Sequence, residues 1–253
     1  MPERETFAFV QARLAARHSR RPNHALWQRL QASTDLANFL DIARRSVLAP
    51  WVAHLSPGSG AHAIEASLRQ EVYLWIQQIA GWQPARWRPA VRWTGHLPEL
   101  PLVGRLMTDR YPPSWVRHDP RLRRFASLQH RERLDALRRS VWAPLVGAYQ
   151  NGQDLATAWA ERWRSLWPAK GDAQGLDALA ASVAQHRWAM GLAETAGGSA
   201  RGALGERAER LFRRYPRRPV AVFCHLLLVG LDLERLRGEL VRRAVFSDGP
   251  ATG

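Results

Sequence analysis

From Ile64 to Ile79 the apolar residues Ile64, Leu68, Val72, Trp75, Ile76 and Ile79 recur at steps of three and four. That spacing sets them on one face of an α-helix and does not suit a strand, whose apolar residues alternate. The loop Ser56-Pro57-Gly58-Ser59-Gly60 precedes the stripe, and Gly81 and Pro84 end it, so one long amphipathic helix is predicted. Shorter stripes with the same period fill the rest of the first half. Phe7, Val10 and Leu14 mark a helix with Pro2 in its first turn. Leu26, Trp27 and Leu30 mark a second, capped by Asn23, and Leu36, Phe39, Leu40 and Ala43 a third, capped by Ser33 or Asp35. Ser46 to Leu55 is mixed, with Pro50 near a boundary.

The prolines Pro84, Pro89, Pro98, Pro101, Pro112 and Pro113 divide the stretch from Gln83 to Pro113 into short helices and turns, which reads as a connector. Asp119-Pro120 starts a helix or broken pair through Leu134, Leu137, Val141, Leu145 and Val146. Another helix carries Leu155, Trp159, Trp163 and Trp167 and stops at Pro168. A turn at Lys170-Gly171-Asp172 leads to an alanine-rich helix from about Leu176 to Thr195. Gly197, Gly198 and Gly202 make a flexible joint before a helix from Glu206 to Tyr215, and the terminal helix follows Pro216 to Pro219. No convincing alternating strand and no exact internal repeat is found. The expected fold is all-α: one domain over residues 1–253, with antiparallel helical lobes over 1–110 and 114–246 and a frayed tail at 247–253.

A chain of 253 residues with 46% hydrophobic content is long enough to bury a sizeable core. Cys224 is the only cysteine and sits in the apolar run from Val220, so it reads as a small core residue of a reducing compartment. The start, Met1-Pro2-Glu3-Arg4-Glu5, lacks the basic-then-apolar pattern of a secretory signal, and export is not expected. The longest apolar stretch, Val220 to Leu231, falls short of the roughly 17–25 residues of a membrane span, so it reads as a buried helix. The net charge is +15, and Lys170 is the only lysine. This arginine excess fits an anionic partner such as nucleic acid, an acidic membrane surface or an acidic protein; it equally fits arginine-rich, solvated helix faces.

Catalytic signatures are missing. Gly58-Ser59-Gly60 and Gly197-Gly198-Ser199 follow no strand and lack the Gly-Lys-Ser/Thr ending of a phosphate loop, and no Gly-x-Ser-x-Gly elbow occurs. The nine histidines form no His-Glu-x-x-His array, and no second cysteine exists for a thiolate metal site, so neither metal nor cofactor is expected. His18, His24, His118 and His130 read as surface or capping residues, and His225 as a hydrogen-bonded core histidine. Asp232 is spaced to pair with Arg235, and Glu239 with Arg243. Of the twelve tryptophans, Trp27, Trp75, Trp159 and Trp163 fall on apolar stripes and read as core, while Trp87, Trp93 and Trp115 stay unassigned among prolines. The cluster Arg213, Arg214, Arg217 and Arg218 around Tyr215-Pro216 reads either as an anion-binding site or as a solvated turn between helices.

Two segments carry a family resemblance. Phe7-Ala8-Phe9-Val10-Gln11-Ala12-Arg13-Leu14-Ala15-Ala16 opens the chain and Leu231-Asp232-Leu233-Glu234-Arg235-Leu236-Arg237 closes it. Between them lie Asp35-Leu36 through Leu40, Arg45-Ser46 and Ile64-Glu65-Ala66-Ser67-Leu68. Together these resemble the C/d family of V-type ATPase proteins, the couplers between central stalk and proteolipid ring. Where the family has Lys-Glu before the acid this chain has Val229-Gly230, and Arg235 stands in place of an Asn. The chain is also shorter than typical members. The resemblance implies a non-enzymatic funnel of helices at the cytoplasmic face of a membrane, peripheral to it, receiving a central stalk at one end and resting on the proteolipid ring at the other. Arg13, Asp232, Arg235 and Arg237 are then candidate polar contacts with partners, or intrachain ion pairs that fix helix packing. The same basic composition also suits a helical module that binds nucleic acid or another anionic surface.

Overall fold

A computed structural model describes residues 3–168, 175–192 and 197–246, and the regular elements among them are helices, with no strand. The predicted turn at Lys170-Gly171-Asp172, the tail 247–253 and Pro2 lie outside the described residues. The all-α class is as read from the sequence. In chain order the α-helices are α1 (Glu3–His18), α2 (His24–Ala32), α3 (Leu36–Arg44), α4 (Ala49–Val52), α5 (Ala61–Trp82), α6 (Arg88–Thr94) and α7 (Leu100–Thr108). Then follow α8 (Arg123–Ala126), α9 (His130–Arg138), α10 (Ala143–Gln150), α11 (Leu155–Ser165), α12 (Leu176–Leu192), α13 (Gly197–Arg214) and α14 (Pro219–Phe246).

The starts follow local chemistry. Asn23 Oδ1 accepts from the Leu26 N–H at 2.9 Å and Asp35 Oδ1 from the Asn38 N–H at 2.8 Å, each satisfying a donor that the first helical turn leaves open. Pro50, Pro89, Pro101 and Pro144 sit in the first turns of α4, α6, α7 and α10, where the missing N–H costs nothing. This corrects the reading of 83–113 as a connector. The short helices and turns are as expected, with Pro89 and Pro101 inside first turns, but Trp87, Val91, Val103, Leu106 and Met107 are fully buried in the larger apolar cluster. Gly197, Gly198 and Gly202 likewise form no joint; they lie within α13, which packs on α12 and α14, so tertiary contact overrides their poor helix propensity.

The helix α14 is the hub. Its 28 residues span about 42 Å at 1.5 Å per residue and touch α1, α3, α5, α12 and α13. Its first half, through Phe223 and Cys224, joins the larger cluster with Leu14, Ile79 and Trp87. Its second half, Leu233, Leu236 and Leu240, closes a smaller cluster with Leu30, Phe39, Leu40, Ile64 and Leu68. Among the described residues no helix is long and apolar enough to cross a membrane.

An inexact repeat is visible once the fold is known. Leu40–Val52 and Leu134–Val146 share nine of thirteen residues, including Arg-Arg-Ser-Val and the Ala-Pro that starts the next helix. The geometry repeats as well. Ser46 Oγ donates to Ala43 O at 2.7 Å and accepts from Leu48 N at 3.1 Å, while Ser140 Oγ donates to Leu137 O at 2.7 Å and accepts from Trp142 N at 3.2 Å. Each serine thus ties the exit of one helix to the entry of the next. Val47 and Val141 are both left exposed at the same point of the turn.

Two arginines are wholly interior. Arg133 has no exposed surface and donates to Leu106 O at 2.7 Å and to Asp109 O, satisfying carbonyls at the end of α7. Arg243 is 2% exposed and donates to Leu30 O at 3.0 Å and Ser33 O at 2.8 Å at the end of α2. Part of the arginine excess therefore serves as internal hydrogen-bond donors for helix ends.

Candidate functional site

The end of α1 meets α13 and the middle of α14, which supply carboxylates. Arg21, three residues beyond α1, donates from Nε to Asp232 Oδ2 at 2.7 Å and reaches Leu228 O at 3.4 Å and Glu209 Oε2 at 3.7 Å. His18 Nε2 lies 3.0 Å from Glu209 Oε1, and Arg213 Nη2 donates to the same oxygen at 2.9 Å. The His18 ring stacks on Phe212 at 4.5 Å. Asp232 therefore pairs across the fold, not with Arg235 as its spacing suggested. Burial raises the pKa of Asp232 above the ordinary carboxylate value, and Arg21 pulls it part of the way back. For Glu209 burial also pushes upward, but the hydrogen bonds from His18 and Arg213 outweigh it and lower the pKa.

Behind this cluster lies His225, with no exposed surface and neither ring nitrogen hydrogen-bonded. The expected hydrogen-bonded core histidine is thus corrected. The rings of His18, Trp75 and Phe212 lie around it at centroid distances of 6.2, 6.4 and 6.5 Å, none of them hydrogen-bonded to it. Burial, then the nearby His18, Arg21 and Arg17, lowers its pKa to about 3, so it is neutral at pH 7. Burial, with a smaller contribution from Glu209, raises the neighbouring Cys224 thiol to about 12, which keeps it protonated and unreactive.

The remaining scaffold candidates do not converge on one point. Arg13 is exposed, its guanidinium 4.6 Å from the Phe9 ring and 5.0 Å from Trp82, and Arg17 continues the ladder at 5.0 Å from Trp82 and 4.2 Å from Trp75. Arg235 stacks on Trp27 at 4.5 Å, and Arg237 donates to Glu65 at 2.8 Å. Glu239 and Arg243 do pair as their spacing suggested, at 2.6 Å.

The basic cluster forms the knuckle between α13 and α14. Arg213 is held by Glu209, Arg214 lies 5.6 Å from the Tyr215 ring, and Arg217 and Arg218 are exposed. Arg217 takes a left-handed φ of 59°. Beneath the knuckle, Gly175 at φ 84° meets the Tyr215 ring so closely that a Cβ there would lie 2.9 Å from it, which fixes the tyrosine and the turn it starts.

Of the tryptophans, Trp27, Trp159 and Trp163 are core as expected, and Trp75 is only partly covered. The three left unassigned resolve: Trp87 and Trp93 are buried, and Trp115 stacks on His62 at 4.4 Å. The sequence reading missed Arg21, whose partner lies 211 residues away, and Glu209, whose i,i+4 spacing to Arg213 offered a local pair while its His18 partner lies 191 residues away. Among the described residues no group of three or more His, Cys, Asp or Glu is placed to hold a metal ion. Comparison with protein-family models, with curated proteins and with solved structures finds no match.

Proposed function

We propose that this chain is a non-enzymatic coupling subunit of a V-type rotary ATPase-like complex, seated between the central stalk and the membrane proteolipid ring on the cytoplasmic face. One observation supports the reading: α5 links the segments that carry the family resemblance, its start packing on the closing segment and its end on the opening one. Phe7, Val10 and Leu14 of α1 lie in one cluster with Ile76 and Ile79 of α5, and Ile64 and Leu68 of α5 lie in the other with Leu233 and Leu236 of α14. Arg237 of the closing motif bonds Glu65 of the middle motif at 2.8 Å, and Asp232 anchors the loop leaving α1 through Arg21 at 2.7 Å. A helical scaffold packed through two apolar clusters and pinned by ion pairs at separate points suits torque transmission, which needs stiffness and shape more than reactive groups. Tagged chain recovered from gently solubilised native cells and washed at moderate salt tests the reading. Stalk and proteolipid subunits retained in constant ratio are the expected result, and their absence overturns it.

The second reading is a basic helical module for nucleic acid or another anionic surface. The exposed Arg214, Arg217 and Arg218 at one knuckle favour it, since no carboxylate lies within ion-pair distance of them among the described residues. Phosphate-dominated binding of that kind weakens steeply with salt.

A further inference from the structure

On another face of the molecule a groove of about 650 Å³ opens between α5, α6, α11 and the turn joining α9 to α10. Its volume lies within the roughly 300–1,000 Å³ of small-molecule sites. Its floor and walls are largely apolar or aromatic, with Trp93, Pro144 and Leu166 among them, and none of the twelve residues that line it is acidic. Two guanidinium groups stand at it. Among the described residues Arg92 is exposed with no hydrogen bond or ion pair from its side chain, and Arg162 reaches only Ser165 Oγ, at 3.4 Å. Exposed arginines such as Arg138, Arg237 and Arg242 have carboxylates at 3.0 Å or less, whereas Arg92 and Arg162, like Arg217 and Arg218 at the knuckle, have none within ion-pair distance among the described residues.

One wall is rigid. Arg121 lies behind it, with Nη1 2.9 Å from Glu99, a carboxylate only 2% exposed. Its guanidinium sits 3.4 Å from the centroid of the Tyr73 ring, and its Nη2 is 3.2 Å from His96 Nδ1. The same His96 Nδ1 lies 3.6 Å from Glu99 Oε2, so guanidinium, imidazole and carboxylate form one close group. Asp119 fixes Arg121 from the far side. It accepts from the Arg121 and Leu122 N–H groups at 3.0 and 3.1 Å and is held by Arg69 at 2.7 Å. Tyr73 and His96, both lining the groove, are thus set in place by a buried network that needs no ligand to form.

We propose that this groove binds a small oxyanion on an apolar body, a carboxylate or phosphate monoester whose charge is received by Arg92 and Arg162 and whose ring or chain lies against Trp93 and Leu166. The site is independent of the coupling role and stands or falls without it. A planar fork with two parallel donors matches both oxyanions, and among the described residues neither guanidinium has a carboxylate to give up.

Isothermal titration of the purified chain with phenyl phosphate, benzoate, inorganic phosphate and benzyl alcohol tests this, alongside the double variant Arg92→Gln/Arg162→Gln. Both substituted residues are exposed, so an unchanged thermal midpoint certifies the fold. As a control, Arg217→Gln/Arg218→Gln removes the same charge from the knuckle. The expected result is that phenyl phosphate or benzoate binds at least about tenfold more tightly than inorganic phosphate and benzyl alcohol. The groove variant then loses at least about tenfold and the knuckle control less than about twofold. Whichever of the two aromatic anions binds more tightly identifies the headgroup. Equal loss in both variants, affinity no better than that of inorganic phosphate, or no saturation by about 10 mM overturns the proposal.

Discussion

Replacing Arg243 by Met should cost this fold more than any surface arginine. The guanidinium donates to Leu30 O at 3.0 Å, Ser33 O at 2.8 Å, Glu239 O at 2.9 Å and Glu239 Oε2 at 2.6 Å, and it lies 4.5 Å from the Phe39 ring. Methionine fills much of the same volume but takes from Ser33 O the guanidinium that donates to it and removes the 2.6 Å donor of Glu239, which keeps Gln31 and Arg242 at 3.0 Å. Removing one partner of a buried pair costs about 3–5 kcal/mol, so about 4 kcal/mol is expected, or roughly 10 °C in thermal midpoint for a chain of this size. Arg243→Lys keeps a cation for Glu239 but lacks the fork that spans the two α2 carbonyls, and about half the loss should remain. The pair also sets an acid dependence. Burial alone would raise the Glu239 pKa, but hydrogen bonds from Arg243, Gln31 and Arg242 bring it down to about 2 from 4.5. The folded-state pKa is depressed, so the stabilisation is present above pH 4.5 and is lost as pH falls from there toward 2. At about 1.4 kcal/mol per pKa unit, trimmed by solvent at the outer edge of the pair, some 2 kcal/mol should vanish in the wild type and not in Glu239→Gln. Urea denaturation followed by circular dichroism reads both effects. A loss below about 1 kcal/mol for Arg243→Met, or identical acid profiles for wild type and Glu239→Gln, would refute the reasoning.

His225 sets a second acid response. Its folded pKa of about 3 lies below the ordinary 6.5, so its contribution is present above pH 6.5 and is lost as pH falls. Between pH 6 and 4.5 it should add up to about 1.4 kcal/mol per pH unit to the slope of stability, and His225→Phe should remove that part. A slope unchanged in the variant would show that the ring finds a proton acceptor. The paired serine turns give a third expectation: Ser46→Ala and Ser140→Ala should each cost about 1 kcal/mol, agree within about 0.5 kcal/mol, and add in the double variant. Clearly unequal losses in urea midpoints would show that the two copies have diverged energetically.

What could be read in advance depended on how far apart the interacting residues lie in the chain. The stripe from Ile64 to Ile79, the caps Asn23 and Asp35 and the Glu239–Arg243 pair are all local, and local spacing determines them. Asp232 misled because its spacing offered Arg235, whereas the fold brings Arg21 to it and lays Arg235 over Trp27. The proline-rich stretch misled because a proline one residue inside a helix and one that ends it look alike until the apolar face is known. The inexact repeat escaped a search for identity because its core positions differ, as with Leu48 and Trp142, while its turn is preserved. The groove walls were beyond reach: Tyr73 lies on α5, His96 and Glu99 in the short segment between α6 and α7, and Arg121 in the turn before α8, and no local spacing joins the three places.

The coupling reading faces its most direct test in a salt series. Purified chain is bound to detergent-solubilised proteolipid rings and, separately, to a single-stranded DNA of about 20 nucleotides, from about 50 to 500 mM salt. An interface with a packed centre should hold the ring affinity within about threefold across the series, while DNA binding stays weak and collapses with salt. Ring binding absent at every salt, or ring and DNA affinities falling together along one steep line, would contradict the coupling role and leave the basic helical module in its place.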